Sequence, residues 1–169
     1  YAAFAQRDLK RMFAYSSINH LGYCLLGAFA VMKYTGDNSA LATEKAAALN
    51  GVLLQMFNHG LTAAALFAFV GFLEQRSGGL RGLNDFGGIR KVAPVFCGLM
   101  GIATFASLGL PGLNGFVGEF LIFKGSLPLA TWATALATLG LLATAIFLLT
   151  FLQCVWNGPL NAKWNLLAD

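Results

Sequence analysis

Charge is what this chain has least of. Of its 169 residues only seven are Asp or Glu and eleven are Lys or Arg, 11% together, where a soluble domain averages about 25%. So few charges cannot coat a water-soluble globule of this size, and a soluble enzyme is disfavoured. Histidine is almost absent, with two residues, and the three cysteines, Cys24, Cys97 and Cys154, stand far apart inside apolar runs. That spacing excludes a CxxC pair and a metal-ligand cluster, and it suits small core residues. No Walker loop, no G-x-G-x-x-G and no N-x-Ser/Thr sequon is present, so nothing signals a phosphate or dinucleotide cradle. The Gly-rich stretch 77–88 follows no strand and reads as an exposed loop.

What is present is apolar. Hydrophobic residues make up 57% of the chain, aromatics 13%, with 15 Phe, which excludes an intrinsically disordered chain. The net charge of +4 is no nucleic-acid signature, because the charges sit in short blocks between apolar runs instead of clustering with aromatics. Four stretches carry no Asp, Glu, Lys or Arg: 12–32, 46–73, 92–118 and 125–162. A helix needs ~20 residues to cross a ~30 Å hydrocarbon core, and each stretch suffices. None alternates with period two, which disfavours barrel strands. The expectation is an all-α polytopic transmembrane helix bundle, with helices at about 12–33, 48–73, 92–123 and 128–155. The whole chain, 1–169, reads as one membrane-domain fragment of a longer polytopic protein.

Lys and Arg set the orientation. Arg7, Lys10, Arg11, Arg76, Arg81, Arg90, Lys91 and Lys163 fall on one side, and Lys33, Lys45 and Lys124 on the other. The richer side, with both ends of the chain, is expected to be cytoplasmic.

Polar groups at membrane depth are expensive, and those present usually face a bundle interior or a water path. In the first helix Ser16, Asn19, His20 and Tyr23 recur at i, i+3, i+4, i+7, which places them on one face. In the second, Gln55, Asn58, His59 and Thr62 repeat the pattern. Two such stripes fit either hydrogen bonding between helices or proton relay, since His titrates near neutral pH and both donates and accepts.

The third segment carries Gly109, Pro111, Gly112 and Gly115 inside an apolar run, with Glu119 just beyond. Proline removes a donor and glycine permits unwound backbone, so the helix is expected to break near 109–115. Free backbone groups are tolerated at depth only inside protein or beside a water-filled cavity. A broken helix with a carboxylate beside it is how ion-coupled transporters build a midplane site. The alternative, an ordinary loop with Glu119 paired to Lys124 at the interface, leaves only 116–123 as apolar remainder, too short to span.

These residues resemble a known family. Asp8, Lys10, Arg11, Ala14, Tyr15, Ser16, Ser17, His20 and Gly22 match the pattern D-x-K-R-x-x-A-Y-S-S-x-x-H-x-G of the antiporter-like membrane subunits of respiratory complex I. Residues 55–67 are similar to the next helix of those subunits, and 106–120 to their discontinuous helix. The resemblance covers nearly the whole chain, in order. Glu119 after Phe116, Val117 and Gly118 looks like the branch called subunit M, or chain 4 in mitochondria, where the L and N branches carry Lys.

The resemblance implies proton translocation within an NADH–quinone oxidoreductase. Glu119 would end a half-channel, and His20 and His59 would lie on a central polar axis. It implies other complex I membrane subunits and the lipid bilayer as partners, no nucleic acid, and a bacterial plasma membrane as the location. No cofactor is expected in this chain, because NADH oxidation and quinone reduction belong to other subunits. The rival readings are a cation/H+ antiporter chain or an ion-pumping subunit of a membrane-bound hydrogenase, and a purely structural scaffold. The family's other Lys and Glu relay groups lie on helices upstream of this sequence, and the loop from Lys33 to Lys45 looks longer than is usual for the family.

Overall fold

The computed structural model describes residues 2–34 and 39–159. Among the described residues five α-helices carry the fold: α1 (Leu9–Lys33), α2 (Ala42–Arg76), α3 (Pro94–Ser107), α4 (Asn114–Ser126) and α5 (Thr131–Asn157). Among the described residues the only β contact is an isolated antiparallel bridge between Asp8 and Gly82. Both α2 and α5 are long and apolar enough to cross a membrane on their own. At 1.5 Å per residue the 25-residue α1 is roughly 38 Å long, also enough to span, although polar side chains interrupt it.

The helix limits differ from the sequence expectation for local reasons. α1 starts before the charge-free run because Asp8 caps it, its side chain accepting from the Arg11 backbone N–H at 3.1 Å. α2 extends well past both ends of its apolar run, because Glu44 and Arg76 sit in its first and last turns, the favourable ends of the helix dipole. α4 continues past the expected end at 123, through Lys124 and Gly125 to Ser126. Part of the 33–45 connection, residues 35–38, lies outside the described residues, as do Lys163 and the rest of 160–169.

The third expected segment is two helices. α3 stops at Ser107 and α4 begins at Asn114. Between them Gly109 (φ +73°) and Gly112 (φ +99°) take left-handed backbone that glycine adopts without strain. Gly115 lets the start of α4 press against the end of α3, because a Cβ there would collide with the Ala106 carbonyl.

The stretch 77–88 is only partly the exposed loop its composition suggested. Residues 78–81 are exposed, but 86–89 are buried, with Phe86 and Ile89 in the core. Arg81 holds the loop down through ion pairs to Asp8 and Glu74, and Lys10 pairs with Glu74. Backbone bonds from Leu9 N–H to the Arg81 carbonyl and from Leu83 N–H to the Arg7 carbonyl complete the tie. The start of α1, the end of α2 and this loop therefore meet at one end of the bundle.

Apolar packing falls into two zones. The larger joins Met12 and Phe13 of α1 to Leu66 and Val70 of α2, Met100 of α3, and Phe147 and Phe151 of α5. Phe13 meets Phe151 edge-on at 5.0 Å between ring centroids, a favoured aromatic geometry. The smaller joins Tyr23, Cys24, Val52 and Ile122. Along α1 and α2 the residues between the zones are polar and buried: Ser16 and His20 on one, Gln55, Asn58 and Thr62 on the other. A polar layer thus separates two apolar cores at mid-helix.

Candidate functional site

The polar layer converges on Glu119. This residue lies in the second turn of α4 and is 6% exposed. An isolated carboxylate in such surroundings is strongly disfavoured, so it must have hydrogen-bonding partners. It has two, from different helices. His20 Nδ1 of α1 stands 2.9 Å from Glu119 Oε1, and Gln55 Nε2 of α2 donates to the same oxygen at 3.3 Å. The other carboxylate oxygen, Oε2, faces the unwound segment, where a Cβ at Gly109 would come within 2.7 Å of it. The break in the helix therefore makes room for the carboxylate as well as placing it.

His20 is itself 2% exposed and connects further. Its Nε2 lies 3.5 Å from Ser107 Oγ at the end of α3. With Nδ1–H donating to the carboxylate, Nε2 of a neutral ring is free to accept from the serine hydroxyl. The His59 ring stands 5.1 Å from that of His20, centroid to centroid, tilted by 31°. His59 is half-buried and, with Ser16, Ser17 and Ser107, borders a small cavity of about 10 Å³. That is close to the lower limit for one water molecule. The sequence-predicted residues Glu119, His20 and His59 are thus brought together, the first two in direct contact and His59 one step out.

The remaining stripe residues divide their work. Asn58 Nδ2 donates to the Asn114 carbonyl at 2.6 Å, which ties α2 to the first turn of α4 just past the break. Thr62 bonds back to the carbonyls of Asn58 and His59 on its own helix. Asn19 faces α5, donating to Thr144 Oγ1 at 2.8 Å and to Tyr23 Oη at 2.8 Å. The Asn58–Asn114 and Asn19–Thr144 bonds are the interhelical bonding that one reading of the stripes anticipated. Lys124 forms no ion pair with Glu119 among the described residues; the carboxylate meets His20 Nδ1 instead.

Sequence reasoning missed three members of the site. Gln55 was one residue of a stripe with no assigned contact, Ser107 carried no signal, and Gly109 was read for its backbone alone. Spacing within each helix could not reveal them, because their meeting depends on how α2, α3 and α4 dock. Among the described residues no three His, Cys, Asp or Glu side chains gather where they could share a metal ion.

Comparison with known proteins finds relatives over nearly the whole chain. The chain is 39% identical over 168 residues to NAD(P)H-quinone oxidoreductase chain 4 of Prochlorococcus marinus, covering 95% of this chain and 29% of that protein. It is 38% identical over 174 residues to NAD(P)H-quinone oxidoreductase chain 4 1 of Synechococcus elongatus, covering 99% of this chain and 30% of that one. Against NADH-quinone oxidoreductase subunit M of Mycobacterium tuberculosis it is 37% identical over 157 residues, 93% of this chain and 26% of that one. The chain therefore spans less than a third of the length of these relatives. Residues 1–146 match the family described as "NADH:quinone oxidoreductase/Mrp antiporter, TM". With that match over most of its length, the chain belongs to the NADH:quinone oxidoreductase/Mrp antiporter transmembrane family.

Proposed function

We propose that this chain is a proton-translocating part of the membrane arm of an NADH–quinone oxidoreductase, of the subunit M (chain 4) type. The observation that carries the reading is the buried contact of His20 Nδ1 with Glu119 Oε1, 2.9 Å apart beside a helix break. A proton-carrying group must be shielded enough to hold its proton, and paired so that either protonation state is tolerated. An acid and an imidazole in contact meet both conditions, because one can protonate as the other releases. His59, one ring away, would hand protons to or from His20. In this scheme Glu119, His20 and His59 are the relay, and Glu119 faces the break as the last titratable group of a half-channel.

The chain would do no redox chemistry. Electron transfer from NADH to quinone belongs to other subunits, and the relay would respond when a conformational or electrostatic signal alters the proton affinity of its groups. Its partners would be the other membrane subunits and the lipid bilayer, in a bacterial plasma membrane. The Lys- and Arg-rich end, where Arg81 meets Asp8 and Glu74, would be cytoplasmic, with both described ends of the chain on that side. The membrane region would be a single unit whose first, second, third-plus-fourth and fifth helices make four crossings.

A cation/H+ antiporter chain is the second reading, since the family description also names Mrp antiporters. The relatives quoted above carry quinone-oxidoreductase names and favour the first. Co-purification of the full-length subunit with flavin and iron–sulfur subunits separates the two. The direct test is Glu119→Gln in the assembled complex, which should abolish proton uptake; uptake at the wild-type level would overturn the assignment.

A further inference from the structure

We propose that Gln55 is the positioning residue for Glu119, presenting its amide nitrogen to the ionised carboxylate and its amide oxygen to the protonated acid. The inference rests on the reading of Glu119 as a proton-carrying group and adds a partner that the relay itself does not need. Three observations support it. Gln55 is 2% exposed, yet its side chain points a polar group at the most costly residue of the bundle, with Nε2 3.3 Å from Glu119 Oε1. Its own Oε1 is buried without a hydrogen-bond partner, a condition that natural proteins rarely tolerate without a use. And the backbone of α4 is kept out of its way: a Cβ at Gly118 would stand 2.5 Å from Gln55 Oε1 and 3.0 Å from Gln55 Cα.

An amide carries a donor on one side and an acceptor on the other. A half-turn about its terminal bond exchanges them while the rest of the side chain stays in place, because that torsion is soft. An ionised carboxylate only accepts, and a protonated one also donates. Glutamine is therefore a side chain that can satisfy both states of Glu119 from one position, and the unpartnered Oε1 is the acceptor held for the protonated state. His20 cannot do this alone, because an Nδ1–H that donates to the carboxylate has no lone pair to accept from the protonated acid.

The test is infrared difference spectroscopy of the assembled complex in its membrane, following the carbonyl stretch of buried protonated carboxyl groups as pH is stepped. Glu119→Gln identifies the band by removing it. Gln55→Met keeps the length of the side chain but neither donates nor accepts an amide hydrogen bond, and should move that band to higher frequency. Gln55→Asn, whose amide stops one methylene short, should move it the same way, so that the test does not depend on the assembly of one variant. A Glu119 band at its wild-type frequency in both variants would overturn the role of Gln55 while leaving the relay intact. A spectrum unchanged by Glu119→Gln would overturn the proton-carrying role of Glu119 itself, and the inference with it.

Discussion

His20 and Glu119, ninety-nine residues apart in sequence, meet between α1 and α4 with Nδ1 and Oε1 2.9 Å apart. Neither residue is tolerable alone at that depth, so the contact fixes the docking of the two helices as well as the chemistry. Removing one partner leaves a buried polar group with an unmet hydrogen bond, which costs about 1–3 kcal/mol. His20→Ala should therefore lower the thermal stability of the assembled subunit, and His20→Ala combined with Glu119→Gln should recover part of the loss. Thermal unfolding curves of the wild type, both single variants and the double variant measure this; losses that simply add would show that the two side chains do not interact.

His59 touches neither carboxylate oxygen. It stands beside His20 at 5.1 Å between ring centroids and is only half-buried. Its replacement should slow the relay without cutting its terminal acid. His59→Ala is expected to reduce coupled NADH:quinone turnover by less than Glu119→Gln does. Turnover equal to wild type would return His59 to a packing role.

Close approach of α2 and α4 depends on missing side chains. A Cβ at Gly51 would stand 2.6 Å from the Ile122 backbone nitrogen, and one at Gly125 would stand 2.5 Å from the Ala48 nitrogen and the Glu44 carbonyl oxygen. Backbone cannot give way as a flexible side chain can, so Gly51→Ala and Gly125→Ala should each destabilise by about 1–3 kcal/mol. Gly60, on α2 with open space around it, is the control. There alanine should be neutral or stabilise by up to ~1 kcal/mol, the ordinary helix-propensity difference. Detergent-stability assays of the three variants decide the matter; equal effects would mean that the α2–α4 seam is looser than these distances require.

Asp8 serves two elements at once. It caps α1 through the Arg11 N–H and pairs with Arg81 Nε at 3.4 Å. Asp8→Asn keeps a capping oxygen and loses only a partly exposed ion pair, which is worth about 1 kcal/mol or less. Asp8→Ala loses the cap too, about 1 kcal/mol more. The stability order wild type, Asn, Ala is expected in thermal unfolding of the complex, and an Asn variant as weak as Ala would mean that the cap does not matter.

Some of this was legible in the sequence because its causes are local. Charge-free runs marked the helices, since lipid tolerates little else. The break was legible because Gly109, Pro111 and Gly112 act on their own backbone, and the two glycines do take left-handed φ. The stripes placed His20 and His59 correctly on their helices, because helical period alone decides a face. The helix ends were harder. α1 begins earlier than its apolar run because a single side chain, Asp8, caps it. Hidden altogether was the identity of the third residue at Glu119. Gln55, Asn58 and Thr62 share one face, and only the tight α2–α4 approach at Gly51 and Gly118 selects Gln55. The burial of 86–89 was equally out of reach, since it depends on Arg81 reaching back to Asp8 and Glu74.

Everything mechanistic here turns on whether Glu119 carries protons, and one ratio reports on it. In sealed membrane vesicles holding the whole complex, protons taken up are counted against NADH oxidised, for wild type and for Glu119→Gln. Glutamine preserves the shape and a hydrogen bond to His20 but cannot release a proton. The proposed relay predicts an assembled complex that holds its other subunits and moves no protons above the leak. Uptake per NADH equal to wild type in the Gln variant would contradict it.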